Sequence, residues 1–74
     1  MSLLPRIRGQ EAVTALHKAG FSTARVRGSH HVLTHLVGRR TVVPVHAGEN
    51  LGPELLSQIL RDAGLTPDEF RELL

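Results

Sequence analysis

The chain has no cysteine and no long apolar run, and each absence excludes a class of protein. Without cysteine, neither a disulfide framework nor a thiolate metal site can stabilise the fold, and nothing indicates secretion. No apolar run approaches the roughly 20 residues that a membrane-spanning helix needs, and the segment Met1–Pro5 is too short for a signal peptide. We therefore expect a cytoplasmic protein that does not enter a membrane.

Acidic residues are scarce in the first part of the chain, so charge is divided unevenly. Residues 1–46 carry seven basic residues against Glu11 alone, a net +6, whereas residues 47–74 carry two basic and six acidic residues, a net −4. A positive half suits a phosphate-bearing partner, because a local field concentrates polyanions even when the net charge of +2 is small. An ordinary solvated surface explains the same pattern equally well.

The length of 74 residues allows one small domain, which we take to span residues 1–74. Such a domain buries only about 60% of the surface that its unfolded chain exposes. Its stability should be modest, and a partner could add to it. We find no internal repeat, linker or low-complexity tract.

The spacing of apolar residues predicts a helix, three strands and two more helices. The predicted elements are a helix over 10–19, strands over 21–27, 30–37 and 41–45, a helix from Pro53 to Gly64 and a short helix after Thr66. The first strand alternates and should be half-buried. Pro44 cannot donate to a sheet ladder, so the third strand should lie at an edge. Thr66 and Glu69 have the spacing of a capping box.

This order of elements predicts an α+β fold of the form α-β-β-β-α with a short C-terminal helix. Helices that are segregated from a small antiparallel sheet pack on one face of it. The arrangement resembles that of a double-stranded-RNA-binding domain.

Histidines mark the segment in which chemistry would lie. His30 and His31 directly follow the small pair Gly28-Ser29, and imidazole can both take and give a proton near neutral pH. A two-residue loop at Gly38-Arg39 would place His31 opposite His46, and a three-residue loop would place His30 there instead. Either register brings His46 close to the segment and leaves its face undecided.

A metal site is not expected among these histidines. His31 and His35 are four residues apart, and on a strand that spacing spans roughly 13 Å, which is too far for one ion. We expect His35 to be a solvent-facing strand residue and His17 to be a surface or boundary residue of the first helix.

Several motifs together resemble the HicA family of toxin ribonucleases. The resemblance covers about residues 10–70 and rests on Gly20-Phe21, Gly28–Val32, Val42–His46 and the helix end Ile59–Leu65. It implies a double-stranded-RNA-binding-like fold, cleavage of messenger RNA without a metal or other cofactor, and neutralisation by a HicB-type antitoxin protein. In that family the functional histidine directly follows Gly-Ser, so the catalytic role falls on His30. The lysine that often precedes the glycine is Arg27 here, which keeps the charge.

Metal-free RNA cleavage needs a base, an acid and cations that stabilise the charged transition state. We expect His30 to be the base or the acid, and Arg27 to supply charge. Gly28 would let the backbone approach the RNA, and Ser29 could donate to phosphate or orient the imidazole. His46 is either a second proton-transfer partner or a structural histidine at a strand end. The remaining candidates for RNA binding are Arg25, Arg39 and Arg40.

Two other functions fit the same residues. One is a non-catalytic RNA-binding module of the double-stranded-RNA-binding fold, although the last two predicted helices are net acidic, which argues against the usual double-strand mode. The other is a partner-binding module that has lost catalysis. For the toxin, we expect the antitoxin to cover His30 and its arginines with an acidic surface. We expect no membrane partner and no direct DNA binding by this chain alone.

Overall fold

Six elements follow one another in the order that the sequence predicts, in a computed structural model that describes residues 4–74. They are α1 (Gly9–Lys18), β1 (Ser22–Arg27), β2 (His30–Thr34), β3 (Arg40–Pro44), α2 (Pro53–Ala63) and α3 (Pro67–Glu72). The prediction of an α+β fold with a short C-terminal helix is confirmed. Of the segment Met1–Pro5, residues 1–3 lie outside the described residues.

Local signals in the sequence set the ends of the helices. Pro53 is the first residue of α2, and Gly64 ends that helix in the left-handed conformation with φ of 72°. The predicted capping box is present, since the Thr66 hydroxyl accepts from the Glu69 amide and the Glu69 carboxylate accepts from the Thr66 amide. Within residues 4–74, none of these helices has both the length and the apolar character needed to cross a membrane.

The three strands form one antiparallel sheet in the order β1-β2-β3. The prediction that β3 lies at an edge is confirmed, and β2 is the central strand. The prediction that β1 is half-buried is wrong, because all six of its residues are exposed. This strand is the other edge, the helix layer leaves it largely uncovered, and its register shifts between Thr23 and Arg25.

The β2–β3 connection is longer than predicted, and this changes the register of the hairpin. Strand β2 ends at Thr34, which pairs with Arg40, and His30 pairs with Pro44. Both predicted registers, with His46 opposite His31 or His30, are therefore wrong. The chain turns over residues 35–38 and not at the predicted residues 38–39. The Gly38 amide donates to the His35 carbonyl, and Gly38 has φ of 92°.

Both long helices pack on the same face of the sheet, which makes a two-layer molecule of 33 × 30 × 18 Å. The largest fully buried side chains come from both layers: Leu16, Leu33, Val43, Leu56, Ile59 and Phe70. Each such side chain contributes about 1.5–3 kcal/mol on burial. One polar group lies among them, since the buried Thr41 hydroxyl donates to Asp62 Oδ2 at 3.1 Å and so joins β3 to α2.

The N-terminus of α1 lies directly against the end of β3. Gly9 is buried, and a Cβ built on it would overlap the Pro44 carbonyl oxygen and lie 3.0 Å from Val45 Cα. Only a residue without a side chain lets helix and strand approach this closely. The contact matters for the site because Pro44 is the cross-strand neighbour of His30.

Candidate functional site

The sheet has one face under the helices and one face open to solvent. Leu33, Thr41 and Val43 are buried beneath the helices, and alternate residues of a strand point to opposite faces. Residues of the other parity therefore belong to the other side, which we call the outer face; they are exposed or half-buried except Val32, which is 9% exposed. It comprises three rows of cross-strand neighbours, each with one residue from β1, β2 and β3 in that order. The first row is Arg27, His30 and Pro44, the second is Arg25, Val32 and Val42, and the third is Ser22, Thr34 and Arg40.

His30 lies in the first of these rows, as the first residue of the central strand. It is exposed, and its cross-strand neighbours are Arg27 on β1 and Pro44 on β3. Directly opposed residues have Cβ atoms about 4.5–5.5 Å apart. The side chains of Arg27 and His30 therefore start from neighbouring positions on the same face of the sheet.

The turn Gly28-Ser29 orients His30 by joining β1 to β2 in two residues. Gly28 has φ of 58°, and no residue other than glycine has positive φ among residues 4–74. A positive φ at the first central residue alone is typical of a type II′ turn, whose twist matches that of the flanking strands. A Cβ at Gly28 would meet nothing within 4 Å. The backbone conformation, rather than crowding, therefore calls for glycine here.

The remaining predicted arginines divide between the outer face and the far end of the sheet. Arg25 lies on the outer face one row from His30, and Arg40 lies on it two rows away. Two rows correspond to four residues of a strand, or roughly 13 Å. Arg39 differs, because its Cζ would lie 2.5 Å from a Cβ at Gly64, at the C-terminal end of α2. The structure thus separates Arg39 from His30.

His46 lies beyond the end of β3, at the same end of the sheet as His30. The Val45 amide donates to the Ser29 carbonyl at 2.7 Å, so His46 is one residue past the last backbone contact between these segments. It is exposed and lines a shallow cleft with Pro44, Glu49 and Leu55. The expected proximity of the two segments is therefore present, without the direct opposition of two histidines.

The other histidines lie away from this site. His31 belongs to the helix-facing side of β2, opposite Val43, and is partly buried. His17 is exposed as predicted, and its Nε2 lies 2.8 Å from Thr23 Oγ1. The prediction for His35 is wrong: it follows the end of β2, and its ring packs edge-on against Phe21 with centroids 5.1 Å apart. Burial of part of the ring against an aromatic neighbour explains why it does not face solvent.

Charge on the molecule follows its two layers. No acidic residue occurs between Ala12 and Gly48, so the strands contain none. All seven acidic residues belong to the helices or to the β3–α2 connection. Three arginines and His30 therefore share an outer face without a carboxylate. Within residues 4–74, no three histidine, aspartate or glutamate side chains are grouped so that they could hold a metal ion.

Sequence reasoning did not identify two neighbours of the candidate site. Pro44 flanks His30, and Gly9 lies directly against Pro44. The position of Gly38 could have indicated that Pro44 lies beside His30. A glycine at the last position of a three-residue hairpin loop, here residues 36–38, is typical of a turn followed by a bulge. No signal in the sequence identifies the second neighbour, Gly9, since the approach of α1 to β3 depends on tertiary packing.

Comparison with known proteins adds an independent observation. The protein-family model described as HicA toxin of bacterial toxin-antitoxin matches residues 9–65. The match begins at the first residue of α1, ends just after α2 and includes the whole sheet. No curated protein matches the chain.

Proposed function

Since the chain belongs to the HicA family of toxins from bacterial toxin–antitoxin systems, we propose that it is a metal-independent endoribonuclease that cleaves messenger RNA in the cytoplasm. Cleavage of messages would inhibit translation and account for toxicity. The observation that carries the proposal is the position of His30, exposed on a carboxylate-free sheet face with Arg27 as its cross-strand neighbour. A proton-transfer group with a cation beside it is what cleavage of a phosphodiester needs.

The proposed reaction uses the 2′-hydroxyl of the RNA as nucleophile. A base removes its proton, the 2′-oxygen attacks phosphorus, and the bond from phosphorus to the 5′-oxygen breaks. The leaving oxygen takes up a proton from an acid, which gives a cyclic phosphate and a free 5′-hydroxyl. His30 serves as base or acid, and Arg27 stabilises the negative charge that accumulates on the phosphate oxygens. Ser29, which is half-buried in the turn, would donate to phosphate or orient the imidazole.

Replacement of His30 tests this assignment, and His31 offers a matched control one residue away on the opposite side of the strand. We expect His30→Gln to lower the rate of cleavage of a single-stranded transcript about 10²- to 10⁴-fold, the usual contribution of a general acid or base. His31→Gln should retain the wild-type rate. The reaction is followed by gel in the presence of a chelator, and thermal unfolding confirms that both variants fold.

Each outcome of this experiment separates the proposal from its alternatives. Cleavage by His30→Gln at the wild-type rate would show that the assignment is wrong. Binding of the transcript without products, by the wild-type chain, would instead support a non-catalytic RNA-binding module. In cells, induction of the wild-type chain should stop growth, whereas induction of His30→Gln should not.

The role of His46 is open to a direct test. If it exchanges a proton with the substrate together with His30, the two replacements act on one step and their losses are strongly non-additive. If His46 is structural, His46→Gln alone should lower the free energy of unfolding and leave the rate per folded molecule unchanged. The location of His46 beyond β3, and not opposite His30, argues against a shared proton transfer.

Membership of this family implies a cognate antitoxin partner. We propose a HicB-type protein that covers the outer face with acidic groups, because the arginines there have no carboxylate neighbours within the sheet. A complex in which His30 stays fully exposed would contradict this mode of neutralisation.

A further inference from the structure

The outer face carries a positive residue well beyond the reach of the proposed reaction. Arg40 is exposed at the far end of β3, two rows from His30, and within residues 4–74 no helix packs over that face. We propose that a single strand of RNA runs diagonally across the outer face from Arg27 to Arg40, and that Arg40 binds a backbone phosphate remote from the cleaved bond. This inference rests on the proposed function for its ligand and extends it to a second phosphate subsite.

The chemistry of the outer face favours phosphate contacts over recognition of bases. The sequence has no tryptophan or tyrosine, and its two phenylalanines, Phe21 and Phe70, are buried. Proteins that read single-stranded RNA usually stack bases on exposed aromatic rings. The apolar residues between His30 and Arg40 are instead Val32, which is buried, and Val42, and neither has a ring on which a base could stack. Apart from the imidazole of His30, the arginines are therefore the groups on this face that are best suited to bind RNA.

The positions of the arginines define a path for the RNA strand. Arg27 lies on the β1 edge beside His30, and Arg40 lies on the β3 edge roughly 13 Å further along the strands. An RNA chain that starts at Arg27, passes His30 and reaches Arg40 therefore crosses all three β-strands. Arg25 flanks this path from the β1 edge one row away. A double helix is not needed for any of these contacts.

Salt dependence gives the proposal a quantitative form. For single strands, each neutralised phosphate contributes about −0.7 to the slope of log affinity against log salt. Three arginines on phosphates therefore predict a slope of about −2. Loss of Arg40 should change that slope by about 0.7, so the affinity gap between the wild type and Arg40→Gln should narrow about 2.6-fold when salt is raised fourfold.

The test compares Arg40→Gln with Arg61→Gln, which removes the same charge from the exposed side of α2. Binding is measured in the His30→Gln background, so that the RNA stays intact, with a long single-stranded oligonucleotide and with a dinucleotide. We expect Arg40→Gln to weaken binding of the long RNA severalfold, to flatten its salt slope and to leave the dinucleotide unaffected. Arg61→Gln should change none of these. In the cleaving chain, Arg40→Gln should raise KM for the long RNA with kcat unchanged.

Three outcomes would overturn the proposal. Equal losses with the dinucleotide and the long RNA would show that Arg40 acts through the structure and not through a remote phosphate. An unchanged salt slope would show that it meets no phosphate. Weakened binding of an acidic partner protein, with RNA binding intact, would assign Arg40 to a protein interface. If the wild-type chain binds RNA in this manner but cleaves none, the RNA path stands and the proposed enzymatic function fails.

Discussion

His30 owes its position to the residue two places before it in the chain. Gly28 adopts φ of 58°, which lets β1 turn into β2 in two residues and makes His30 the first residue of the central strand. For other L-residues this region of backbone space costs roughly 1–2 kcal/mol. The glycine of the Gly-Ser-His motif is thus explained by the turn before any role in RNA binding is invoked.

Replacement of Gly28 should consequently affect folding. We expect Gly28→Ala to lower the free energy of unfolding by roughly 1–2 kcal/mol, because the positive φ is strained for alanine although the space around it is open. Ser29→Ala, at the next position of the same turn, should stay within about 0.5 kcal/mol of the wild type. Denaturant titration followed by circular dichroism measures both. Equal stability of Gly28→Ala and the wild type would show that the turn relaxes.

Neighbouring arginines show what the sequence does not resolve at this scale. Arg39 and Arg40 are adjacent and chemically identical, and both are reasonable candidates for RNA binding. In the structure Arg40 lies on the outer face, whereas the guanidinium of Arg39 lies against Gly64 at the end of α2. One residue of difference reverses the direction of a side chain in a strand. The assignment therefore depended on the register.

Among the elements, the helices are well predicted from sequence and the hairpin is not. Helix ends depend on local signals, such as Pro53, Gly64 and the capping pair Thr66 and Glu69, and each signal works as expected. The register of a hairpin depends on the length of its loop. Leu36 and Val37 have the composition of a strand, yet they form the β2–β3 turn and are 100% and 73% exposed. Their apolar character extended the predicted strand too far.

The same dependence on hairpin register explains why only the part of the candidate site around the Gly28-Ser29 turn could be predicted from the sequence. Arg27, Gly28, Ser29 and His30 are consecutive, so a tight turn brings them together in any register. The neighbours that β3 contributes come from a distant part of the chain. The predicted register differs from the observed one by two or three residues, so it placed His46 opposite β2 where the structure has Pro44.

The contact between α1 and β3 supports a prediction at the scale of elements. We expect Gly9→Ala to lower the free energy of unfolding by about 1–3 kcal/mol, because the added methyl group would overlap the Pro44 carbonyl and push helix and strand apart. Gln10→Ala, at the next and exposed position of α1, should change it by less than about 0.5 kcal/mol. The two are compared by denaturant titration. A Gly9→Ala variant as stable as the Gln10→Ala control would mean that α1 moves away without loss.

At the scale of the whole molecule, the two layers carry opposite charge. The sheet layer has arginines and no carboxylate, while the helices and the β3–α2 connection hold every acidic residue. A polyanion that approaches the protein is therefore drawn toward the outer face and repelled from α2 and α3. The small net charge of +2 conceals this polarity.

Because β2 is the central strand, we expect the candidate site to persist until the whole protein unfolds. Proteins open locally at edges and termini far more often than they unfold globally. His30, however, belongs to a strand that is hydrogen-bonded on both sides. If one edge strand frays, His30 is still paired with the other edge strand and stays in position. We therefore expect heat inactivation of RNA cleavage to coincide with global unfolding. Activity and circular dichroism measured over one temperature series check this, and inactivation well below the unfolding midpoint would reveal a site that opens before the protein does.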